Sequence, residues 1–381
     1  MPTNPLIALN RAGQSVWLDN LARPLIAGGK LTRLIREDGI SGITSNPVIF
    51  RNAMLSGTAY DAGIHDLAAV GRSTREIYET LAIEDIQAAA DQLRPVHEAT
   101  AGVDGQVSLE VSPHLARDAD GTVAEARRLW EAVDRPNLLI KIPGTSEALP
   151  AIEECLATGI NVNITLLFSI DMHRQVIDAY FRALTRRQAA GQPLNTVASV
   201  ASFFLSRIDT AVDAELDALI ARGDGADDAR ALAGRAAVAS AQLAYGLWTE
   251  MHTGDRWAKL ARGGARVQRP LWASTSTKNP DYSDVMYVEP LVGPSTVNTM
   301  PEVTIDAFRD HGEVARRVDA DLPGARDVTH RLAGLGVDLP AITDRLVSEG
   351  ITKFIDPFDE LLATLDGKRV ATLPADQQPV S

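Results

Sequence analysis

Short apolar runs alternate along this chain with longer segments in which apolar residues recur every three or four positions. The short runs have the length and the β-branched content of buried parallel strands, and the longer segments have the period of amphipathic helices. Strands are predicted at residues 15–20, 41–50 (a strand followed by a turn), 106–112, 138–142, 161–168, 196–205, 269–275 and 285–293. Strands that alternate with helices in this way imply parallel β-α-β units.

The predicted helices lie between these strands, and some carry start signals. Ser73 and Glu76 form a capping box, Thr122 and Glu125 are expected to cap the next helix, and Pro301 suits a first helical position. Helices are predicted at residues 25–36, within 55–97, at 122–133, 146–157 and 169–187, over most of 206–260, and after 300, with a last amphipathic helix at 346–365.

Eight near-continuous apolar strands favour a closed (β/α)8 barrel of the TIM type, with additional helices after residue 206 and at the C-terminus. An open, doubly wound sheet is the alternative. No internal repeat and no long low-complexity linker divides the 381 residues, so we interpret residues 1–381 as one domain. Residues 367–381 are expected to form a flexible C-terminal tail.

The overall charge restricts the classes of partner. The chain has 37 lysine and arginine residues against 50 aspartate and glutamate residues, a net charge of −13. This balance argues against binding to nucleic acid or to an anionic membrane, so an anionic substrate needs a local basic site. The sequence shows no export signal and no apolar run of transmembrane length.

The single cysteine, Cys155, excludes an internal disulfide. It shares a helix face with Ala151 and Ile152, and we interpret it as a packing residue. A chain without disulfides fits a reducing compartment, so a cytoplasmic protein is expected. The sequence leaves open whether the protein is a monomer or a homodimer.

One lysine lies inside the fourth predicted strand, within the segment LLIKIPGT at 138–145. A buried ammonium must pair with a carboxylate or lose its proton, because a low dielectric disfavours the charged form. A neutral amine can attack a carbonyl carbon, so Schiff-base catalysis is the first functional hypothesis for Lys141. In the alternative interpretation, this lysine ends an edge strand and extends its ammonium to solvent.

Other polar residues lie at the ends of predicted strands, which in a barrel meet at the face that carries the chemistry. With the lysine, these residues are Asp19, Asn46, Glu110, Lys141, Asn163, Thr165 and Ser202. Each one alone is typical of a turn or a helix cap, but seven such residues are not easily all caps. Because Glu110 and Asn163 lie within β-branched runs, they need polar partners, and a buried network that contains a lysine and carboxylates is a candidate site.

Motifs for several other chemistries are missing from the sequence. There is no HExxH motif and no pair of cysteines for zinc, and neither GxxxxGK[ST] nor a GxGxxG after a strand occurs. We therefore expect neither a metal nor a nucleotide cofactor.

A binding site for an anion is predicted after the sixth and seventh strands. Arg207 begins a helix directly after a strand, where barrels commonly bind phosphate, and an arginine can bind two oxygens at once. Ser274, Ser276 and Lys278 follow the seventh strand and could close on the same anion. The alternative for Arg207 is an ordinary surface ion pair.

Five further motifs are GITSNP at 42–47, VSLEV at 107–111, LIKIPGT at 139–145, GINVNITLLFS at 159–169 and SFFLSR at 202–207. Together they resemble the transaldolase family, specifically its longer form, and they occur in the order of that family. The resemblance implies a class I aldolase-type barrel that transfers a dihydroxyacetone unit in the pentose phosphate pathway, without a cofactor. The implied donors are sedoheptulose 7-phosphate and fructose 6-phosphate, and the implied acceptors are glyceraldehyde 3-phosphate and erythrose 4-phosphate.

Position by position, the resemblance implies catalytic roles for four residues. Lys141 corresponds to the Schiff-base lysine, and Asp19 to the group that takes the proton from the hydroxyl next to the breaking bond. Glu110 and Thr165 correspond to the residues that hold a proton-relaying water.

The resemblance also implies substrate-binding positions, which correspond to Asn46, Asn163, Ser202 and, for the phosphate, Arg207. The second phosphate contact departs from the family pattern, because a shorter member's Ser-Phe-Arg-Asn is STSTKN at 274–279 here. Either Ser274 or Ser276 corresponds to the phosphate serine. Lys278 supplies a point charge instead of the planar fork of an arginine.

Two other functions are compatible with the same motifs. A related lysine aldolase would simply cleave fructose 6-phosphate and release dihydroxyacetone. An inactive barrel that only binds sugar phosphates is the third possibility, and it is disfavoured because every matched polar position is filled.

Overall fold

The computed structural model describes residues 4–372, and its centre is a closed barrel of eight parallel strands. The strands are β1 (Gln14–Leu18), β2 (Gly42–Ile43), β3 (Gln106–Glu110), β4 (Leu138–Pro143), β5 (Val162–Leu167), β6 (Ser199–Phe204), β7 (Arg269–Ala273) and β8 (Thr296–Met300). They follow one another around the barrel in chain order, and β1 pairs with both β2 and β8. The predicted (β/α)8 barrel is therefore confirmed, and the open sheet is excluded.

The helices surround the barrel, and several are additional to the eightfold pattern. They are α1 (Pro5–Arg11), α2 (Arg23–Ala27), α3 (Lys30–Asp38), α4 (Pro47–Leu55), α5 (Asp61–Ala69), α6 (Thr74–Ala99), α7 (Ala119–Val133), α8 (Leu149–Thr158), α9 (Ile170–Ala189), α10 (Ser206–Arg222), α11 (Ala226–Leu232), α12 (Ala236–Thr253), α13 (Asp255–Arg262), α14 (Glu302–His311), α15 (Leu322–Gly334) and α16 (Leu339–Thr372). Single 3₁₀ turns occur at Pro113–Leu115 and Glu289–Leu291.

The eighth strand lies later in the chain than predicted. Residues 285–293 form turns and a 3₁₀ helix, and the strand is β8. The strand β8 was not predicted because its polar residues interrupt the apolar pattern of a buried strand. The side chains of these polar residues are nevertheless buried and form hydrogen bonds. Thr296 Oγ1 donates to the carbonyl of Gly293 at 2.6 Å, and Asn298 Nδ2 donates to that of Tyr287 at 3.0 Å.

Two predicted helices also change. The helix expected at 25–36 is divided at Gly29, whose φ of 73° is left-handed and favours glycine. The helix α7 begins earlier than predicted, because the side chain of Asp118 accepts a hydrogen bond from the amide of Gly121. Thr122 therefore lies inside the helix and does not cap it, whereas the capping box of Ser73 and Glu76 is confirmed.

The last helix, α16, is longer than the predicted segment 346–365, and it continues through Pro357. Residues 367–372 of the predicted tail belong to this helix, and residues 373–381 lie outside the described part of the chain. The helix packs against α4, α5, α6 and α10 and contacts β5. It therefore crosses the barrel near the strand that carries two of the predicted site residues.

The opposite end of the barrel holds a buried ion pair. Arg269 in β7 lies 3.1 Å from Asp104, and their side chains are 8% and 13% exposed. Asp104 Oδ1 also accepts from Trp17 Nε1 at 3.0 Å. The pair ties the loop before β3 to strands on the other side of the barrel.

We expect Asp104→Ala to lower the free energy of unfolding by about 3–5 kcal/mol, because it leaves a buried guanidinium without its carboxylate. Urea unfolding measures the loss. Glu37→Ala is the control, since it removes the carboxylate of an exposed pair with Arg36 and should cost less than about 1 kcal/mol. Equal losses in the two variants would show that the buried pair has no special role.

Within residues 4–372, no helix is long and apolar enough to cross a membrane. Cys155 lies in α8 and is buried, in agreement with its interpretation as a packing residue.

Candidate active site

The strand β4 places Lys141 inside the barrel, where the residue is 4% exposed. Its Nζ donates a hydrogen bond to the carbonyl of Ser45 at 3.1 Å and lies 3.5 Å from Glu110 Oε2. The parallel register of β3 and β4 sets Glu110 beside Lys141. The ammonium does not extend to solvent, so the alternative of an edge-strand lysine is wrong.

Glu110 ends β3 and is buried with the lysine. Burial raises the pKa of Glu110 to about 7, although the charge of Lys141 favours the carboxylate. Among the described residues, no group donates a hydrogen bond to either carboxyl oxygen. A carboxyl group that titrates near neutral pH can both give and take a proton, which suits a proton-transfer role.

Thr165 in β5 carries another unsatisfied polar atom. Its Oγ1 is buried and has no hydrogen-bond partner in the described part of the chain. Buried polar atoms in folded proteins are nearly always hydrogen-bonded to protein or to water. The side-chain oxygens of Thr165 and Glu110, which accept no hydrogen bond from residues 4–372, are thus available to a bound water or substrate.

Asp19 directly follows β1, and the chain at this point is tied to β8 by a hydrogen bond from its amide to the carbonyl of Met300. Thr44 Oγ1 donates to Asp19 Oδ1 at 2.7 Å. Burial raises the pKa of Asp19 above the ordinary value for an aspartate, and the nearby Lys141 opposes this effect. The raised pKa makes Asp19 a stronger base than an exposed aspartate.

A chain of side-chain hydrogen bonds crosses three strands beside the lysine. Ser202 Oγ in β6 donates to Asn163 Oδ1 at 2.6 Å, and Asn163 Nδ2 donates to Ser108 Oγ at 3.0 Å. The strand β5 is irregular here, because its register with β6 shifts and Leu166 has a φ of 59°. Such irregularities redirect side chains and are frequent next to active sites.

Asn46 has two structural roles at once. It is the N-cap of α4, since its Oδ1 accepts a hydrogen bond from the amide of Ile49 at 3.0 Å. It also faces the cavity above Lys141. The cap uses the acceptor oxygen, so the amide NH₂ remains available to donate to a substrate.

These side chains surround one cavity of about 80 Å³ at the C-terminal end of the barrel. Its walls are formed by Asp19, Thr44, Asn46, Lys141, Thr165, Ser202, Phe204, Arg207, Ala273, Ser274, Thr299 and Phe354. Glu110 and Asn163 are not on its walls, but each contacts a residue that is.

Arg207 lies at the start of α10 and forms one wall of the cavity. Its guanidinium lies 5.2 Å from the centre of the Phe204 ring and 5.9 Å from that of Phe354. Nη1 is buried, and no described residue accepts a hydrogen bond from it. Burial lowers the pKa of Arg207. This arginine is therefore available to an anion that enters the cavity, and it is not part of an ordinary surface ion pair.

The loop after β7 brings only some of its predicted residues to the cavity. Ser274 is on the cavity wall, has a φ of 56°, and shares a hydrogen bond of 2.8 Å between its Oγ and that of Ser206. Ser276 accepts a hydrogen bond from Lys278 Nζ at 2.6 Å and is not on that wall. Lys278 lies on the wall of a neighbouring groove, together with Arg207.

Comparison with known proteins identifies one family. The family described as Transaldolase/Fructose-6-phosphate aldolase matches residues 16–365 of this chain. This chain belongs to that family. The resemblance inferred from the five motifs is thereby confirmed, and the expected class of protein, a transferase enzyme, is confirmed with it.

Relatives in the family match along nearly their whole length. A protein named Transaldolase from Mycolicibacterium smegmatis is 49% identical over 370 residues, which cover 97% of this chain and 98% of the relative. Transaldolase 2 from a Nostoc species is 47% identical over 97% of this chain and 98% of its own length. Transaldolase from Thermobifida fusca is 48% identical over 94% of this chain and 96% of its own length.

Five cavity residues were not predicted from this sequence; one is Ala273 at the end of β7, and tertiary structure explains the other four. Thr44 and Thr299 share a hydrogen bond of 2.7 Å next to Asp19, but Thr299 belongs to the strand that the polar pattern concealed. Phe204 lies within an apolar strand and carries no polar signal. Phe354 comes from the distant helix α16, and its ring centre is 5.7 Å from Lys141 Nζ.

In the described residues, no cluster of three or more metal-binding side chains occurs.

Proposed function

We propose that this protein is a transaldolase that transfers a dihydroxyacetone unit through a Schiff base on Lys141. The donors would be sedoheptulose 7-phosphate or fructose 6-phosphate, and the acceptors glyceraldehyde 3-phosphate or erythrose 4-phosphate, as in the pentose phosphate pathway. One observation carries the proposal: a buried lysine shares a cavity with Asp19 and with Arg207, whose buried Nη1 has no hydrogen-bond partner in residues 4–372. An amine, an acid/base group and a phosphate-binding group are the components that this chemistry needs.

Schiff-base formation requires several proton transfers. The amine of Lys141 attacks the ketose carbonyl, and the carbinolamine that results must lose water. Glu110 lies 3.5 Å from Nζ and has a pKa raised to about 7, so it can take a proton in one step and return it in the next. Thr165 would hold the relaying water, because its hydroxyl oxygen is buried and has no partner among the described residues.

Cleavage of the carbon-carbon bond requires a base and an electron sink. The protonated imine at Lys141 withdraws the electron pair of the breaking bond, and the product is an enamine instead of a free carbanion. Asp19 would take the proton of the hydroxyl beside that bond, because it lies in the same cavity and its pKa is raised by burial. The same aspartic acid can return the proton when the acceptor aldehyde binds.

The enamine must survive until the acceptor arrives. Asn46, Asn163 and Ser202 would orient the dihydroxyacetone hydroxyls by hydrogen bonds, since all three lie at or directly behind the cavity wall. Phe354 of α16 lines the same cavity with its ring centre 5.7 Å from Lys141 Nζ, and the lysine is buried. A covered site limits protonation of the enamine by water and so favours transfer over release.

The phosphate of the substrate would bind at Arg207, with Ser274 as the second contact because it shares the cavity wall with the arginine. Lys278 would add a positive charge from the neighbouring groove. Ser276 is the less favoured serine, since its hydroxyl is already bonded to Lys278.

We expect Arg207→Ala to raise KM for phosphorylated substrates by about 10- to 150-fold with a smaller change in kcat, because a charge-assisted contact contributes about 1.5–3 kcal/mol. Steady-state kinetics with fructose 6-phosphate measure this change, and unphosphorylated donors such as dihydroxyacetone should be affected little. An equal loss on both kinds of donor would contradict a phosphate contact.

The fructose 6-phosphate aldolase reaction is the second candidate, because the family description names it beside transaldolase. Both reactions pass through the same lysine adduct and differ in what captures the enamine. Incubation with fructose 6-phosphate alone distinguishes them. Accumulation of free dihydroxyacetone without an acceptor aldehyde would identify the cleaving enzyme.

The experiment that tests the proposal directly is borohydride reduction in the presence of fructose 6-phosphate, followed by peptide mass spectrometry. The expected result is a reduced three-carbon adduct on the peptide that contains Lys141. Absence of any adduct would support a barrel that binds sugar phosphates without catalysis.

A further inference from the structure

A groove of about 680 Å³ runs between α10 and α16 and ends at the cavity wall. Arg207 and Ser274 line both the groove and the cavity, so the two spaces adjoin at these residues. At Gly350, α16 packs closely on the barrel: a Cβ added to this glycine would lie 3.0 Å from Leu166 and 3.4 Å from Arg207. The groove, hereafter the access groove, is thus an open path to the cavity, beside the part of the barrel end on which α16 packs closely.

The charged residues of the access groove are predominantly basic. They are Arg207, Lys278, Arg345 and Lys353, with Glu215 and Glu349 as the acidic members. Arg345 lies 3.8 Å from Glu215 and 3.6 Å from Glu349, and Lys353 lies 3.6 Å from Glu349. The side chains of Arg345 and Lys353 are more than half exposed, so these ion pairs are weak and an anion in the groove can compete for them.

This local charge matters because the whole chain carries a net charge of −13. Such a protein repels a phosphate monoester dianion at long range, unless a basic surface reverses the potential where the substrate enters. The positions of the basic side chains suit attraction of a phosphate into the cavity. Arg345 and Lys353 lie on α16, and Lys278 lies in the loop after β7 and lines the groove. The partly buried Arg207 lies where the groove meets the cavity.

We propose that the access groove is the route by which phosphorylated sugars reach Lys141, and that Arg345 and Lys353 accelerate capture by attracting the phosphate. The inference rests on the proposed function, because it takes a sugar phosphate as the ligand. Neither residue lines the inner cavity, so both act before the chemical steps. Charges at such positions change association rates and salt dependence more than the turnover of bound substrate.

The test is the double variant Arg345→Glu/Lys353→Glu, assayed with fructose 6-phosphate over a range of salt concentrations. At low ionic strength, kcat/KM should fall about tenfold while kcat stays the same. The difference from wild type should nearly vanish at 1 M salt, where the screening length is about 3 Å. The matched control is Lys259→Glu/Arg326→Glu, which makes the same change in net charge at exposed positions outside the groove and should change kcat/KM less than about twofold at any salt concentration.

Two further variants separate attraction from damage to α16. Arg345→Gln/Lys353→Gln should give a smaller loss of the same sign, without new carboxylates in the helix. Glu349→Gln removes a negative charge from the groove, so it should raise kcat/KM at low salt, which a purely structural role would not do.

Three results would overturn the inference: a salt-independent loss, an equal loss in the matched control, or a fall in kcat/KM with Glu349→Gln. Borohydride trapping at Lys141 reports the proposed function separately. If the double variant and the wild type both form the adduct but show the same salt dependence, the access groove is not the route and the proposed function stands. If the wild type forms no adduct, the proposed function is wrong, and the inference that rests on it is wrong as well.

Discussion

Replacing Lys141 by arginine is expected to abolish turnover and borohydride labelling while the barrel stays folded. Arginine keeps the positive charge beside Glu110 and can still donate to the carbonyl of Ser45. Its guanidinium remains protonated and cannot form an imine, so the covalent route is lost. We expect the rate of transfer to fall by at least about 10⁴-fold. Assay of dihydroxyacetone transfer and intact-mass analysis after reduction measure both effects.

Lys30→Arg is the matched control, since Lys30 forms an ion pair with Glu302 on the outside of the barrel. This variant should keep full activity and full labelling. An adduct found on Lys30 or Lys278 in the wild type would contradict the assignment of Lys141. Circular dichroism and thermal unfolding of the Lys141→Arg variant should match those of the wild type, which excludes misfolding as the cause.

Asp19→Asn is expected to separate imine formation from bond cleavage. The amide that replaces the carboxylate would no longer take a proton from the substrate hydroxyl, but the imine step depends on Glu110 and Thr165 and should continue. Loss of a positioned general base lowers a rate by about 10²–10⁴-fold, and turnover should fall by that factor. The hydrogen bond from Thr44 can be kept by the amide oxygen, so the local geometry should change little.

The mass of the trapped adduct distinguishes the outcomes. With fructose 6-phosphate or sedoheptulose 7-phosphate, Asp19→Asn should carry the intact six- or seven-carbon sugar phosphate, and the wild type should carry mainly the three-carbon fragment. If the variant accumulates the three-carbon fragment at the rate of the wild type, Asp19 is only a turn residue. The acid/base role would then pass to Glu110, the other buried carboxyl group beside Lys141.

Most strands of the barrel can be predicted from the sequence, because a buried parallel strand needs apolar residues on both faces. The strands β1 to β7 each overlap a predicted strand for this reason. The strand β8 does not follow that pattern, since the hydroxyl of Thr296 and the amide NH₂ of Asn298 donate hydrogen bonds to the loop between β7 and β8. A sequence pattern records polarity, but it does not record whether a polar group has found a partner.

The residues of the candidate site also divide into those that the sequence predicts and those that only the tertiary structure places. The local pattern of the chain predicts that Asp19 and Glu110 stand at strand ends and that Lys141 lies within a strand, and a parallel barrel brings these positions together. The tertiary structure alone decided that Ser274 and not Ser276 reaches the cavity, because a left-handed residue turns the loop there. It also decided that Phe354, more than 200 residues from the lysine, lines the cavity, and that α10 and α16 form a basic groove beside it. These contacts depend on how distant helices pack, and packing between segments far apart in sequence leaves no local pattern to be read.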